Sequence, residues 1–440
     1  MNVFAKVPSI GAIAVRVLAA LTLAGVVAGA ASGASSRTMP TYAVQELGTL
    51  GGGYGVGTSI NNTPWVAGQS TVPSGDLHAG LWRFGSITDL GTFGGPGTNS
   101  AVLWPVKNEQ GAISGIAETD ELNPLGEIWS CGYFFTRSTH TCSGFVWRDG
   151  QKQALPTLGG YDSFATGTNN HLQTVGWAET AFHDPTCSHT DTQVLGFLAV
   201  IWGPGPTDIQ ALPPLPGDSA TAATAIDDAG QVVGISGDCD RAFGRFSARH
   251  SVLWENGVPI NIGDFGGIAW NTPMAINRKG DIVGFANRSA ADGGLIRPRA
   301  FLSTKPGKIV DLGALGDDPY SQALGINEDR QVVGVSYSAD FSVCRAFLWE
   351  HGVMWNLHDL APAYSGSLCA ANDIDDLGRI TGEAIPEGGG LSVPFLATPQ
   401  TQGSNAAGAG APDRRAPAVS WQAIRNIMAR SGITREDLGR

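Results

Sequence analysis

Six cysteines, Cys131, Cys142, Cys187, Cys239, Cys344 and Cys369, are the most constrained reactive groups in this chain of 440 residues. No two stand two to four residues apart, the spacing a zinc site wants, and an even count suits disulfides if the chain is exported. The segment Phe182-His183-Asp184-Pro185-Thr186-Cys187-Ser188-His189-Thr190-Asp191 offers imidazole nitrogens and carboxylate oxygens to a metal. A disulfide-anchored polar loop accounts for it equally well, and no metal is assigned. Acid-rich turns such as Asp373-Ile374-Asp375-Asp376-Leu377-Gly378 lack the alternating ligand spacing and distal glutamate of a calcium loop. Turn chemistry explains them, since Asn and Asp bond their own backbone. There is no Gly-x-Ser-x-Gly elbow, no His-Glu-x-x-His and no phosphate loop, so neither catalytic residues nor a cofactor follow from motifs. A paired-carboxylate glycosidase stays open, because such a pair is defined by separation in space.

The elements that must position these residues are short strands. Glycine supplies 61 residues and charged residues only 15%, against roughly 7% and a quarter in average proteins. That much glycine excludes long helices and coiled coils, and 42% hydrophobic residues with 12 tryptophans exclude a disordered chain. Residues 35–400 carry 19 basic and 36 acidic groups, a net charge of −17. Nucleic acid and anionic membrane surfaces are poor partners for such a body.

Residues 1–34 read as a secretory signal: Lys6 and Arg16, the apolar run Val17 to Ala28, then small residues to Ala34. The apolar run is short of the roughly 20 residues that span a bilayer, and no other segment approaches that length. The expectation is a secreted, periplasmic or cell-surface protein with no membrane span once the signal is removed.

One four-part pattern returns along residues 43–398. An Asp-Leu-Gly element (Asp89-Leu90-Gly91, Asp311-Leu312-Gly313) is followed by an Ile-Asn or Ile-Asp turn (Ile60-Asn61, Ile226-Asp227, Ile276-Asn277, Ile326-Asn327). A Val-Gly element comes third (Val175-Gly176, Val233-Gly234, Val283-Gly284, Val333-Gly334) and an Ala-Phe-Leu-Trp-like element fourth (Ala346-Phe347-Leu348-Trp349). Each is a short β-branched or aromatic run bounded by turn residues. The Asn/Asp-x-x-Gly link between the second and third suits a type I turn closed by a left-handed glycine. Four strands per unit, seven times, is the signature of an all-β, seven-bladed β-propeller of four-stranded antiparallel blades. The pattern starts and stops in mid-unit, which predicts that Val44 to Leu47 pairs with Phe395 to Ala397 and closes the ring. Residues 399–419 read as a flexible linker, and 420–440 as a short helix with Trp421, Ile424, Ile427 and Met428 on one face, followed by a tail.

The long connections join the third element to the fourth and share a face with the blade links. All six cysteines fall in these variable connections. Cys131 and Cys142 share one insertion, Cys187 and Cys239 sit in matching loops of adjacent units, and Cys344 and Cys369 lie in a loop and the next link. The pairs Cys131–Cys142, Cys187–Cys239 and Cys344–Cys369 are therefore expected. The same loops hold the candidate binding residues Trp129, Tyr133, Phe134, His183, His189, Asp238, Arg241 and Tyr337, together with Phe135 and Phe341. Packing beneath their own loops and contact with a ligand are the two readings of these side chains.

The combined unit Asp-Leu-Gly-x-Leu-Gly, Ala-x-x-Ile-Asn-x-x-Gly-x-Val-Val-Gly, Ala-Phe-Leu-Trp resembles the bacterial HAF-repeat proteins, described as probable extracellular repeat proteins. The likeness covers about residues 44–398. The His-Ala-Phe that names the family is replaced by His78-Ala79-Gly80, His250-Ser251-Val252, Arg299-Ala300-Phe301 and Arg345-Ala346-Phe347, so the histidine is not chemically required. The resemblance implies secretion and a repeat fold and carries no catalytic residues. The expectation is an exported, monomeric, non-catalytic propeller that binds a glycan polymer or a protein through its loop face. The alternative is an extracellular hydrolase or lyase acting on glycans or peptides from the central cup.

Overall fold

The computed structural model describes residues 39–400 except 128–130, 136–137, 190–192, 206, 269 and 289–296. The expected signal, the helix at 420–440 and Trp129 lie outside the described residues. Seven four-stranded antiparallel sheets make up the body. Blade one is formed by Gly55–Ile60, Val66–Thr71, Leu77–Arg83 and Ser86–Asp89, and blade four by Ala220–Ile226, Val232–Gly237, His250–Glu255 and Val258–Asn261. Blades two, three, five and six repeat this order over Ser100–Ala154, Gly159–Leu212, Thr272–Gly313 and Tyr320–Asn356. Blade seven takes Ser367–Ile374, Ile380–Ile385 and Val393–Pro399 from the end of the chain and Tyr42–Glu46 from its beginning. Val44 pairs with Ala397 and Glu46 with Phe395, so the ring closes as the broken repeat predicts. Among the described residues, no helix is long and apolar enough to cross a membrane.

The repeat motifs have a backbone cause. In six blades the innermost strand carries a register shift against the second, as between Gly57 and Ser59 and between Ala223 and Ala225. The bulge pushes an innermost-strand carbonyl against the second strand. At Gly176 a β-carbon would collide with the Phe164 carbonyl, and at Gly234 with that of Ala222. The Val-Gly glycine is therefore a close-approach glycine. In four blades the turn after the third strand has positive φ at two successive residues, as at Asn256 (52°) and Gly257 (77°), the type I′ hairpin that matches strand twist.

Blades are stitched together at repeating positions. The indole N–H groups of Trp82, Trp202 and Trp254 donate to the carbonyls of Gly48, Pro156 and Pro213 in the preceding links. The basic residue that opens the third strand pairs with an acid: His78 with Asp89, His250 with Asp218, Arg299 with Asp311, Arg345 with Asp318. The acid comes from the fourth strand of the same blade for His78 and Arg299 and from the preceding link for His250 and Arg345, so histidine and arginine exchange within each arrangement.

Candidate functional site

The two ends of the ring differ. At the hairpin end, six innermost strands are followed directly by Asn61, Asn169, Asp227, Asn277, Asn327 or Asp375, and Asn108 takes the equivalent place in blade two, seven residues after its short strand Ser100–Ala101. The side-chain oxygen closes its own turn, as where Asn61 Oδ1 accepts from the N–H groups of Thr63 and Trp65 at 3.1 and 3.0 Å. The amide nitrogen is then free to serve the neighbouring blade. Asn61 donates to Asn108 O, Asn108 to Asn169 O, Asn169 to Asp227 O, Asn277 to Asn327 O, and Asn327 to Asp375 O, at 2.7 to 3.2 Å. The following residues form a second ring. Backbone N–H groups of Asn62, Glu109, Asn170, Arg278, Glu328 and Asp376 donate to Glu109, Asn170, Asp228, Glu328, Asp376 and Asn62 respectively.

Among the described residues both rings lack a link at the seam between blades four and five, and the first ring lacks another at Asp375, whose carboxylate has no amide to donate. Asp227 has no amide to donate, and its buried Oδ2 has no hydrogen-bond partner; Arg278 in blade five has no oxygen with which to accept. Burial, only partly offset by N–H groups of its own turn, raises the Asp227 carboxyl above its ordinary range. These turns surround a polar pocket lined in part by Lys107, Glu109, Asp228, Arg278, Glu328 and Asp376. Lys107 reaches from blade two to blade seven, where its Nζ lies 2.5 Å from Asp373 Oδ1 and donates to Ile374 O at 2.8 Å. Asp373 is fully buried, and that burial raises its pKa even beside the lysine. Burial also pushes Asp376 upward, but the Asn62 amide, the Glu328 N–H, Lys107 and Arg278 outweigh it and hold the carboxyl below its usual value. The pocket acids are thus engaged in joining blades, not presented as a free acid and base.

The loop end is apolar beneath its surface. One continuous cluster takes side chains from blades two to seven and includes all six cysteines. Trp104 of blade two, fully buried, lies edge-on to Phe164 and Trp177 of blade three at 5.4 and 5.8 Å and 5.0 Å from Phe243 in the blade-four loop. The cysteines pair as 131–142, 187–239 and 344–369.

Of the residues singled out by sequence, Tyr133, Phe134 and Arg241 are brought together. The Arg241 guanidinium sits 5.6 Å over the Tyr133 ring, and Phe134 turns inward onto Trp104. Tyr337 is a core residue, 1% exposed and packed on Phe341. Asp238 is tied to Arg249 at 2.8 Å, and His183 is exposed. The backbone of His189 ends the 3-10 turn Pro185–His189. Asp184 lies beside Cys187 and Cys239, but both sulfurs are in a disulfide, and its Oδ1 accepts from Thr186 N and Oγ1 at 2.8 and 2.7 Å. That segment is a pinned polar turn.

Sequence reading missed a gathering of three buried carboxylates, Glu127, Asp162 and Glu179. Glu127 lies in the blade-two insertion, five residues after the strand Ile113–Leu122, Asp162 in the innermost strand of blade three, and Glu179 in its second strand. The available signal is weak: Glu179 stands three residues after the Val-Gly glycine, where blade two also has an acid, Glu118, and the other units hold Thr71, Gly237, Asn287, Tyr337 and Ile385.

No family model matches this chain, and no curated protein does. Among solved structures, it is similar to a gluconolactonase from Xanthomonas campestris, at 10% identity, with 69% of this chain and 91% of that one covered and a TM-score of 0.30. It is also similar to AofleA from Arthrobotrys oligospora (11%, 82% and 86%, 0.36) and to a puromycin-hydrolyzing peptidase from Mycobacterium tuberculosis (13%, 79% and 60%, 0.34).

Proposed function

We propose that this chain is an exported, non-catalytic propeller of the HAF-repeat kind that binds a glycan polymer or a protein partner through its loop face. Three disulfides suit an oxidising compartment outside the cytosol. The observation that carries the non-catalytic reading is the state of the acids. Glu127, Asp162 and Glu179 are 2%, 1% and 0% exposed, so no glycosidic bond can enter between them as a hydrolytic pair requires. The acids around the hairpin-end pocket are occupied by backbone N–H groups of neighbouring blades. Above the loop-end core, by contrast, Tyr133 and Arg241 meet from two different insertions, an aromatic and cationic pair of the type enriched in binding surfaces.

A glycan array probed with the mature protein tests this reading. Binding is expected, with a loss of tenfold or more in Tyr133→Ala and Arg241→Ala. Binding unaffected by both substitutions, or turnover of any bound glycan, would overturn it.

A further inference from the structure

The three sealed carboxylates have a use that does not depend on a loop-face ligand. None of them forms an ion pair with a described basic side chain, although three buried acids repel one another and are costly to desolvate. Each is held by the backbone through one oxygen. Glu127 Oε1 accepts from Val194 and Leu195 N–H, both at 2.8 Å, Asp162 Oδ1 from Cys142 N–H at 2.5 Å, and Glu179 Oε2 from Tyr161 and Asp162 N–H at 3.0 and 3.1 Å.

The second oxygen of each is left to side-chain amides. Asn123 Nδ2 lies 3.5 Å from Glu127 Oε2 and 3.0 Å from Asp162 Oδ2, and Gln193 Nε2 donates to Glu179 Oε1 at 3.1 Å. A separate observation points to a missing partner. Gln193 is 3% exposed, stands against Glu179, and its own amide oxygen has no hydrogen-bond partner. Its nitrogen, shared between Glu179 and Leu195 O at 2.5 Å, anchors the side chain against the cluster, so an unpaired amide oxygen and three acids share one buried region that lacks a positive charge.

One oxygen of each carboxylate lies within 4.8 Å of the others. Oxygens sharing a calcium ion at roughly 2.3 to 2.6 Å stand no more than about 4.6 to 5.2 Å apart. The donor set is all oxygen, which selects a hard cation over zinc or copper. We propose that Glu127, Asp162 and Glu179, completed by the Gln193 amide oxygen, form a calcium site that fastens the blade-two insertion to blade three. The ion replaces the missing countercharge and ties together four chain segments: the insertion, two strands of blade three, and the return of its loop at Gln193–Leu195. Without it, burial pushes the Asp162 carboxyl up to about 7 and that of Glu179 well above its ordinary value, with the charge of Glu127 adding to both and that of Asp162 to Glu179.

The test uses the full mature chain stripped with EDTA and exchanged into chelator-free buffer. Calorimetric titration with calcium chloride at neutral pH should give one equivalent bound per chain, and thermal unfolding should move upward with calcium. Asp162→Asn and Glu179→Gln should each weaken binding tenfold or more, yet unfold at a higher temperature than the stripped wild type, because each removes a repelling charge. Asp340→Asn, an exposed acid elsewhere, should bind as the wild type does. A stripped wild-type protein that takes up no calcium at millimolar concentration and keeps the same unfolding temperature would overturn the site, leaving the acids to be neutralised by protons. Calcium bound as tightly by both isosteric variants as by wild type would also overturn it. The wild-type titration stands even if a variant does not fold.

Discussion

The two ends of the propeller face the same problem, holding seven wedge-shaped sheets in a ring, with different chemistry. At the hairpin end, residues that repeat do the joining: a short Asn turn spends its oxygen on its own backbone and its nitrogen on the next blade. At the loop end, residues that do not repeat do it: Trp104, Phe134, Phe164, Trp177 and Phe243 interlock across three blades, and disulfides pin the loops above. A hydrogen-bond ring tolerates short, uniform turns and leaves a polar pocket. A packed apolar band allows insertions of any length, provided each buries an anchor. The end with irregular sequence is therefore free to diversify, and the end with regular sequence is not.

Three substitutions probe this contrast, in order of expected size. Trp104→Ala should be the most damaging, at about 3 to 5 kcal/mol for an aromatic removed from a closed core, read by chemical denaturation. A loss under about 1 kcal/mol would mean that the loop end does not depend on its aromatic knot. Lys107→Met keeps the stem but leaves Asp373 buried without its cation, a change of about 3 kcal/mol. The double variant Lys107→Met with Asp373→Asn should recover most of that, and failure to recover would show that the lysine acts through packing alone.

Asp227→Asn should do the opposite and stabilise, since it supplies the donor missing from the seam between blades four and five, by about 0.5 to 1.5 kcal/mol. Its pH dependence fixes the cause. The folded-state pKa of Asp227 is raised, so the folded form holds the proton more tightly than the unfolded one. The wild type consequently loses stability as pH rises from the unfolded value near 4 through the folded pKa. The advantage of Asn should be full above that window and shrink below it. An advantage independent of pH would assign the effect to something other than the carboxylate.

Much of the fold was legible because the backbone repeats its demands. Gly68, Gly176, Gly234 and Gly334 recur since a bulged carbonyl occupies the place of a side chain in each blade. The closing pair of Val44 and Ala397 was legible because the repeat breaks in mid-unit. The cysteine pairs followed from which segments must be neighbours, although Cys142, Cys344 and Cys369 stand in strands rather than in the variable connections expected from the sequence. The site was less legible. Tyr337 looks like a loop aromatic, yet it ends a strand whose last side chain points into the band beside Phe341. Glu127, Asp162 and Glu179 share no motif, and their meeting is decided by the stagger of two blades. The inter-blade role of the Asn turns was hidden behind a local role that the same side chain also performs.

Ring closure has a mechanical side. Tyr42 is paired directly with Pro399, and the two strands run antiparallel from there. A pull applied through those two residues does not shear the strands along their length. It peels them apart, loading one pair of hydrogen bonds at a time, from the Tyr42–Pro399 end of the joint to the Glu46–Phe395 end. The joint that completes the circle is thus the one most readily opened by tension between its ends, while the other six blades, each a continuous stretch of chain, would remain folded behind it.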